Sequence, residues 1–196
     1  MGVSLRFAAV LMAVTVVGFA GTATPVLAQA VEYRVLATNK TSTMEKELND
    51  AAELGYEFGG VMGGETAFGG KEVVAIVSKA AGAAPGRFRY RLLATNKTSS
   101  MQKELQDAGD AGYEYKGQTV FETLFGGKEV VVILERDKDR PRREYEYKLL
   151  ATSKTSTMQK ELGETGQRGY EFVGMTVAET ALGGHEVVVI TRKALK

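Results

Sequence analysis

Residues 31–48, VEYRVLATNKTSTMEKEL, return as FRYRLLATNKTSSMQKEL at 88–105 and as YEYKLLATSKTSTMQKEL at 145–162. Tyr33, Tyr90 and Tyr147 sit at the same place in the three segments, at a constant spacing of 57 residues, and the register never slips. The second part of each copy repeats as well, as GYEFGGVMGGETAFGGKEVVAIV (55–77), GYEYKGQTVFETLFGGKEVVVIL (112–134) and GYEFVGMTVAETALGGHEVVVIT (169–191). A fixed period of this length marks a tandem array of one supersecondary unit. The chain divides into repeat 1 (31–79), repeat 2 (88–136) and repeat 3 (145–196). They are joined by linker 80–87, with the small-residue run AAGAAPG, and linker 137–144, with the mixed-charge DKDRPRR.

Each copy reads as strand, helix, hairpin. Tyr33, Val35 and Ala37 alternate with Glu32 and Arg34, the period of a half-buried strand. Ser42 with Glu45, Ser99 with Gln102 and Ser156 with Gln159 have the spacing of a capping box that opens a helix. Met44, Leu48 and Ala51 then form an apolar stripe, as do Met101, Leu105 and Ala108. Gly55, Gly112 and Gly169 stand where a left-handed C-terminal cap is wanted. A second strand begins at Tyr56, and Gly69-Gly70 reads as a two-residue turn into a third.

The third strand carries an unbroken apolar run, Val73 to Val77, Val130 to Leu134 and Val187 to Ile190, which implies burial on both faces and the central place in the sheet. The fold class is α+β: three tandem β-α-β-β repeats, each a three-stranded mixed sheet of order 1-3-2 with one helix. A single repeat has a marginal core, and one helix covers only one sheet face. The expected cover for the other face is the same face of the other two copies, in a closed pseudo-threefold body to which Leu36, Leu93 and Leu150 contribute. Edge-joined sheets or separate beads are the rival arrangements.

Residues 1–30 differ in kind. Arg6 is their only charge, an apolar run follows from Phe7 to Phe19, and Ala28-Gln29-Ala30 has small residues at both ends of an A-x-A site. This is the pattern of a signal peptide cleaved near Ala30, with export to a periplasmic or extracellular space. The apolar run falls short of the roughly 20 residues that span a bilayer, so no transmembrane segment is expected after cleavage.

The 196-residue chain is 44% hydrophobic and 25% charged, within the range of folded domains. Its net charge of +1 falls to zero without Arg6, which argues against nucleic acid as a partner. The chain has no cysteine, which excludes disulfides, thiol nucleophiles and cysteine-based metal sites. Its one histidine, His185, replaces Lys71 and Lys128 beside a turn and reads as a polar turn residue.

The E-Y-K-L-L opening, the helix ending in G-Y-E-F and the closing strand with its basic tail, Arg192 and Lys193, resemble a family of small bacterial domains of unknown function. In that family an E-Y-K-V-V-like opening precedes a helix and a G-W-E-L-like strand; tyrosine stands here in place of the tryptophan, at positions 56, 113 and 170. The resemblance implies a fold and a bacterial origin. It supplies no activity.

Two candidate sites emerge, and one motif fails. Lys40, Thr41 and Ser42, with Lys97, Thr98 and Ser99 and with Lys154, Thr155 and Ser156, stand between the first strand and the helix start, where amides, hydroxyls and a lysine hold an anion. The plainer reading of these residues is helix capping beside a solvated lysine. Glu65, Glu122 and Glu179 precede the hairpin turn, and an acid-base pair would need glutamates from different copies. GGETAFGGKE fails as a phosphate loop because Glu65 and Glu72 occupy positions that need glycine and a hydroxyl residue. No metal ligand set or cofactor is expected. No nucleophile, base and orienter combination recurs with the repeats, which favours a non-catalytic exported module that binds an anionic envelope component or a protein partner, or builds structure. The alternative is an enzyme or small-ligand protein with sites in inter-repeat clefts.

Overall fold

The computed structural model describes residues 30–66, 70–122, 127–179 and 184–195. Twelve elements follow in order: β1 (Val31–Thr38), α1 (Thr41–Glu53), β2 (Glu57–Thr66) and β3 (Gly70–Ala80); β4 (Phe88–Thr95), α2 (Thr98–Asp110), β5 (Glu114–Glu122) and β6 (Lys128–Asp137); β7 (Tyr145–Thr152), α3 (Thr155–Gln167), β8 (Glu171–Glu179) and β9 (His185–Ala194). The proposed signal peptide lies outside the described residues, apart from Ala30. Among the described residues no helix is long and apolar enough to cross a membrane.

Each repeat forms its own three-stranded sheet, in the orders β1-β3-β2, β4-β6-β5 and β7-β9-β8. The first and second strands of each copy run parallel, but the third lies between them. Every ladder is therefore antiparallel, and no mixed sheet forms. The hairpin register also differs from the two-residue turn read from Gly69-Gly70. Thr66 pairs with Gly70 and Glu65 with Lys71, so the connection is residues 67–69, which lie outside the described residues. Gly70 ends that connection, with φ of 103°, rather than standing inside it.

The helices end as their glycines dictate. Gly55, Gly112 and Gly169 have φ of 90°, 81° and 83°; Gly55 N–H donates to the Ala52 carbonyl, and Tyr56 N–H to that of Ala51, the paired bonds of a Schellman cap. The helix starts differ from the capping-box reading. Lys40, Lys97 and Lys154 hold the N-cap positions with no side-chain cap bond. Thr38 Oγ1 accepts from Lys40 N–H at 3.2 Å, which turns the chain without any serine cap. Glu45 and Gln102 are employed elsewhere.

The three units stack in series. Helix α1 packs on its own sheet and as extensively on β4 alone, α2 packs more on β7 than on β4, and β2 meets β5 as β5 meets β8. One core therefore joins Met44, Leu48 and Val77 of repeat 1 to Tyr90, Val131 and Ile133 of repeat 2. A second joins Met101, Leu105 and Leu134 of repeat 2 to Tyr147 and Ile190 of repeat 3. The central strand β6 is buried on both faces because α1 lies over one and α2 over the other. Full burial of a side chain such as Ile133 or Leu134 contributes about 2 kcal/mol.

This series replaces the closed threefold body. Among the described residues no helix lies over the leading face of the first sheet, where Tyr33 is 67% exposed, and α3 covers only part of its own face of the last sheet, where Met175 is 64% exposed. Leu36, Leu93 and Leu150 do not fill a shared centre either; each packs with the stripe of its own helix. The face led by Tyr33, Tyr90 and Tyr147 is the one that receives the helix of the preceding repeat, so Tyr90 and Tyr147 are buried and Tyr33 is not.

Candidate functional site

The most elaborate polar geometry in the molecule lies at the two joints between repeats. β4 is an edge strand, and side chains of α1 occupy its free edge. Asn49 Oδ1 accepts from Tyr90 N–H at 3.0 Å while Asn49 Nδ2 donates to the Tyr90 carbonyl at 3.0 Å, and Glu45 Oε2 accepts from Leu92 N–H at 2.8 Å. The second joint uses the same positions with different chemistry. Gln106 Oε1 accepts from Tyr147 N–H at 3.1 Å and its amide donates to the Tyr145 carbonyl; Gln102 Oε1 accepts from Leu149 N–H at 2.8 Å and its amide donates to the Tyr147 carbonyl. Residues four apart lie on one helix face, so two side chains span a short stretch of strand edge. The edge is thus paired by side chains in place of another strand, which satisfies its amides and blocks lateral strand addition.

A tyrosine locks each joint. Each second strand carries a bulge, between Phe58 and Gly60 and between Tyr115 and Gly117. The amide at the start of that bulge donates to the incoming hydroxyl: Phe58 N–H to Tyr90 at 2.9 Å, Tyr115 N–H to Tyr147 at 2.7 Å. Tyr90 donates onward to buried Glu135 at 2.8 Å, and Tyr147 to the Tyr113 carbonyl at 3.0 Å. Burial, with the Glu135 charge beside it, raises the Tyr90 phenol far above the ordinary tyrosine range, and burial does the same for Tyr147. Both remain neutral donors at physiological pH.

Close approach at the second joint depends on glycine. A Cβ at Gly109 would strike the Tyr145 carbonyl and stand 2.9 Å from the Tyr147 ring, whereas one at Gly166, the same position in α3, would meet nothing within 4 Å. Gly109→Ala is expected to lower stability by about 1–3 kcal/mol through overpacking, despite its helix-propensity gain. Gly166→Ala is expected to raise it by about 0.5–1 kcal/mol. Thermal unfolding of the two variants reads the opposite signs.

A charged cleft of about 290 Å³ lies beside the second linker, lined by residues including Arg87, Glu114, Lys116, Glu135 and Asp137. These charges hold one another. Arg87 forks onto Asp137 at 2.7 and 3.2 Å and holds its carboxyl below the usual range. Lys116 reaches Glu135 at 2.9 Å, and Arg192 of repeat 3 reaches Glu114 of repeat 2 at 2.7 Å. Burial works against the charge on Lys116 and on Arg192, but the facing carboxylates outweigh it and both pKa values rise.

The candidate anion residues stay on three separate helix starts, one per repeat. Lys40, Lys97 and Lys154 are exposed; Ser42, Ser99 and Ser156 are exposed too, while Thr41 and Thr98 are half-buried and Thr155 exposed. The groove beside Lys97 and Thr98 encloses only about 10 Å³, no more than one water. Glu65 is exposed opposite Lys71, and Glu122 is ion-paired with that same Lys71 at 2.6 Å across the joint. His185 lies exposed opposite Glu179 in the ladder. Among the described residues no cluster of three metal-ligating side chains occurs.

The joint residues Glu45, Asn49, Gln102 and Gln106 belong to no functional motif in the sequence. Their signal was present: two polar side chains four residues apart, on a helix flank, changing between acid and amide but keeping their acceptor oxygens. Compared with known protein families, with curated proteins and with solved structures, the chain matches none.

Proposed function

We propose that this chain is a non-catalytic exported module that works by docking, with the two open ends of the stack as its working surfaces. One observation carries the reading: the face that buries Tyr90 and Tyr147 at the joints is left open in repeat 1, with Tyr33 67% and Val35 57% exposed. The opposite face is only partly covered in repeat 3, by α3, and Phe172 and Met175 are left 57% and 64% exposed. Apolar patches of this kind mark interaction sites. The pairing of the cleft charges with one another supports a structural role for them, and Arg6 with its apolar run and Ala28-Gln29-Ala30 supports export.

Retention of the exported chain on washed cell envelopes tests this. Tyr33→Arg or Met175→Arg is expected to reduce retention about tenfold or more. Joint replacement of Lys40, Lys97 and Lys154 by alanine is expected to leave it within about twofold, as solvated rim charges contribute little. Absence of retention for the parent chain, or retention unmoved by both arginine variants, overturns the docking reading. Loss confined to the lysine variant would favour an anionic envelope component bound at Lys40, Thr41 and Ser42 and their counterparts.

A further inference from the structure

We infer that the partner for these end faces is a second copy of this chain, added head to tail so that the stack of repeats continues from one molecule into the next. The inference rests on the docking reading above and names its occupant. The chain contains the same joint twice, between repeats 1 and 2 and between repeats 2 and 3, and each end of the molecule presents one unused half of it.

The halves correspond residue by residue. At the leading end, β1 presents Tyr33 and Val35, where β4 presents Tyr90 and Leu92 and β7 presents Tyr147 and Leu149. Among the described residues no side chain clasps the β1 edge as Asn49 and Glu45 clasp β4. At the trailing end, Phe172 opens the bulge in β8, as Phe58 and Tyr115 open those in β2 and β5. Its amide holds the place of the Phe58 and Tyr115 amides that receive the Tyr90 and Tyr147 hydroxyls. Gln159 on α3 occupies the position of Gln102 and is exposed, and Gly166 leaves open space where Gly109 accommodates the Tyr147 ring. Seating a second copy by the geometry of the internal joints brings Tyr33 over Phe172, the β1 edge under Gln159, and Glu65 toward His185 as Glu122 meets Lys71.

One member of the clasp is missing. Gly163 stands where α1 has Asn49 and α2 has Gln106, so the intermolecular joint lacks one side-chain pair of hydrogen bonds to the strand edge. It is therefore weaker than the internal joints and reversible. The contact is heterologous, since leading and trailing faces differ, and such a contact extends into chains or closes into rings instead of stopping at a dimer.

Sedimentation of the purified exported chain over a wide concentration range tests this. The parent chain is expected to form a concentration-dependent series of oligomers. Tyr33→Arg blocks the leading face and Met175→Arg the trailing face; each alone is expected to weaken association about thirtyfold or more. Their equimolar mixture, which retains one good leading and one good trailing face, is expected to form a dimer that grows no further. Circular dichroism melts of both variants that match the parent exclude misfolding as the cause, since both side chains are exposed. A parent chain that stays monomeric overturns the proposal. So does continued association of either variant alone, which would indicate a symmetric contact between like faces. A monomeric parent whose end-face variants still lose envelope retention would overturn self-assembly and leave the docking reading standing. Assembly blocked by the end-face variants, with envelope retention unaffected by them, would leave self-assembly standing and overturn only the envelope as a site of docking for these faces.

Discussion

Replacing Tyr90 with alanine is expected to lower the stability of the chain by about 3–5 kcal/mol, the cost of truncating a fully buried aromatic. The same change at Tyr33 is expected to alter it by no more than about 0.5 kcal/mol. The two residues occupy the same place in their repeats, so intrinsic strand propensity cancels from the comparison. What differs is the preceding repeat. Tyr90 is 2% exposed, fills the space between α1 and the second sheet, and bridges the Phe58 amide to Glu135. Truncation leaves a cavity, an amide without its acceptor and a buried carboxylate held by Lys116 alone. Tyr90→Phe separates these terms: it keeps the ring and removes the hydroxyl, with an expected loss of about 1–3 kcal/mol. Denaturant unfolding of the three variants checks the order. Equal losses at Tyr33 and Tyr90 would mean that the repeats do not stack as described.

Joint replacement of Gln102 and Gln106 by leucine should destabilise the chain by about 2–4 kcal/mol, although leucine has similar bulk and good helix propensity. The change removes four side-chain bonds to the β7 edge and leaves the Tyr147 and Leu149 amides without partners at a half-buried seam. Buried backbone groups without partners carry their full desolvation cost. Gln159→Leu, at the same position in α3, should change stability by less than about 0.5 kcal/mol because no strand edge lies against it within the molecule. Hydrogen exchange supplies a local readout: the Tyr147 and Leu149 amides should exchange much faster in the double variant, while those of β6 should keep their protection. Slow exchange at Tyr147 in that variant would show that another group satisfies the edge.

Much of a single repeat was legible because its determinants are local. Gly55, Gly112 and Gly169 mark helix ends through the φ they permit, Met44 and Leu48 mark a stripe through their spacing, and the apolar run of each third strand announces a central place in the sheet. The candidate site was far less legible. Glu45 and Gln102 carry the spacing of a capping box, and the local signal led to the helix start. In the folded chain the strand edge of the next repeat competes for the same side chains. It lies on the helix flank they occupy, and its amides have no alternative partner, whereas the first amides of an exposed helix can bond to water. The hairpin register is not legible in the sequence for a related reason: glycines at 69 and 70 favour a turn without fixing which residues sit opposite each other, and that pairing is set by the bulge and by the face each side chain must bury.

The sequence by itself determined that this protein is a triplicated strand, helix and hairpin with a sheet order of 1-3-2, because caps, periodicity and apolar runs act within a few residues. It also determined that one face of each sheet needed a cover from outside the repeat. Only the tertiary structure decided what that cover is: the helix of repeat n lies on the sheet of repeat n+1, and a closed trio is not formed. The physical reason is that burial of apolar area has no direction and is served equally by a ring of three sheets or a stack. Directed bonds made the choice, through a tyrosine hydroxyl on a bulge amide and a pair of helix side chains along an edge strand. Because those bonds join each repeat to its successor, among the described residues Tyr33 and the free flank of α3 take no part in such a joint, and the two ends of the stack differ.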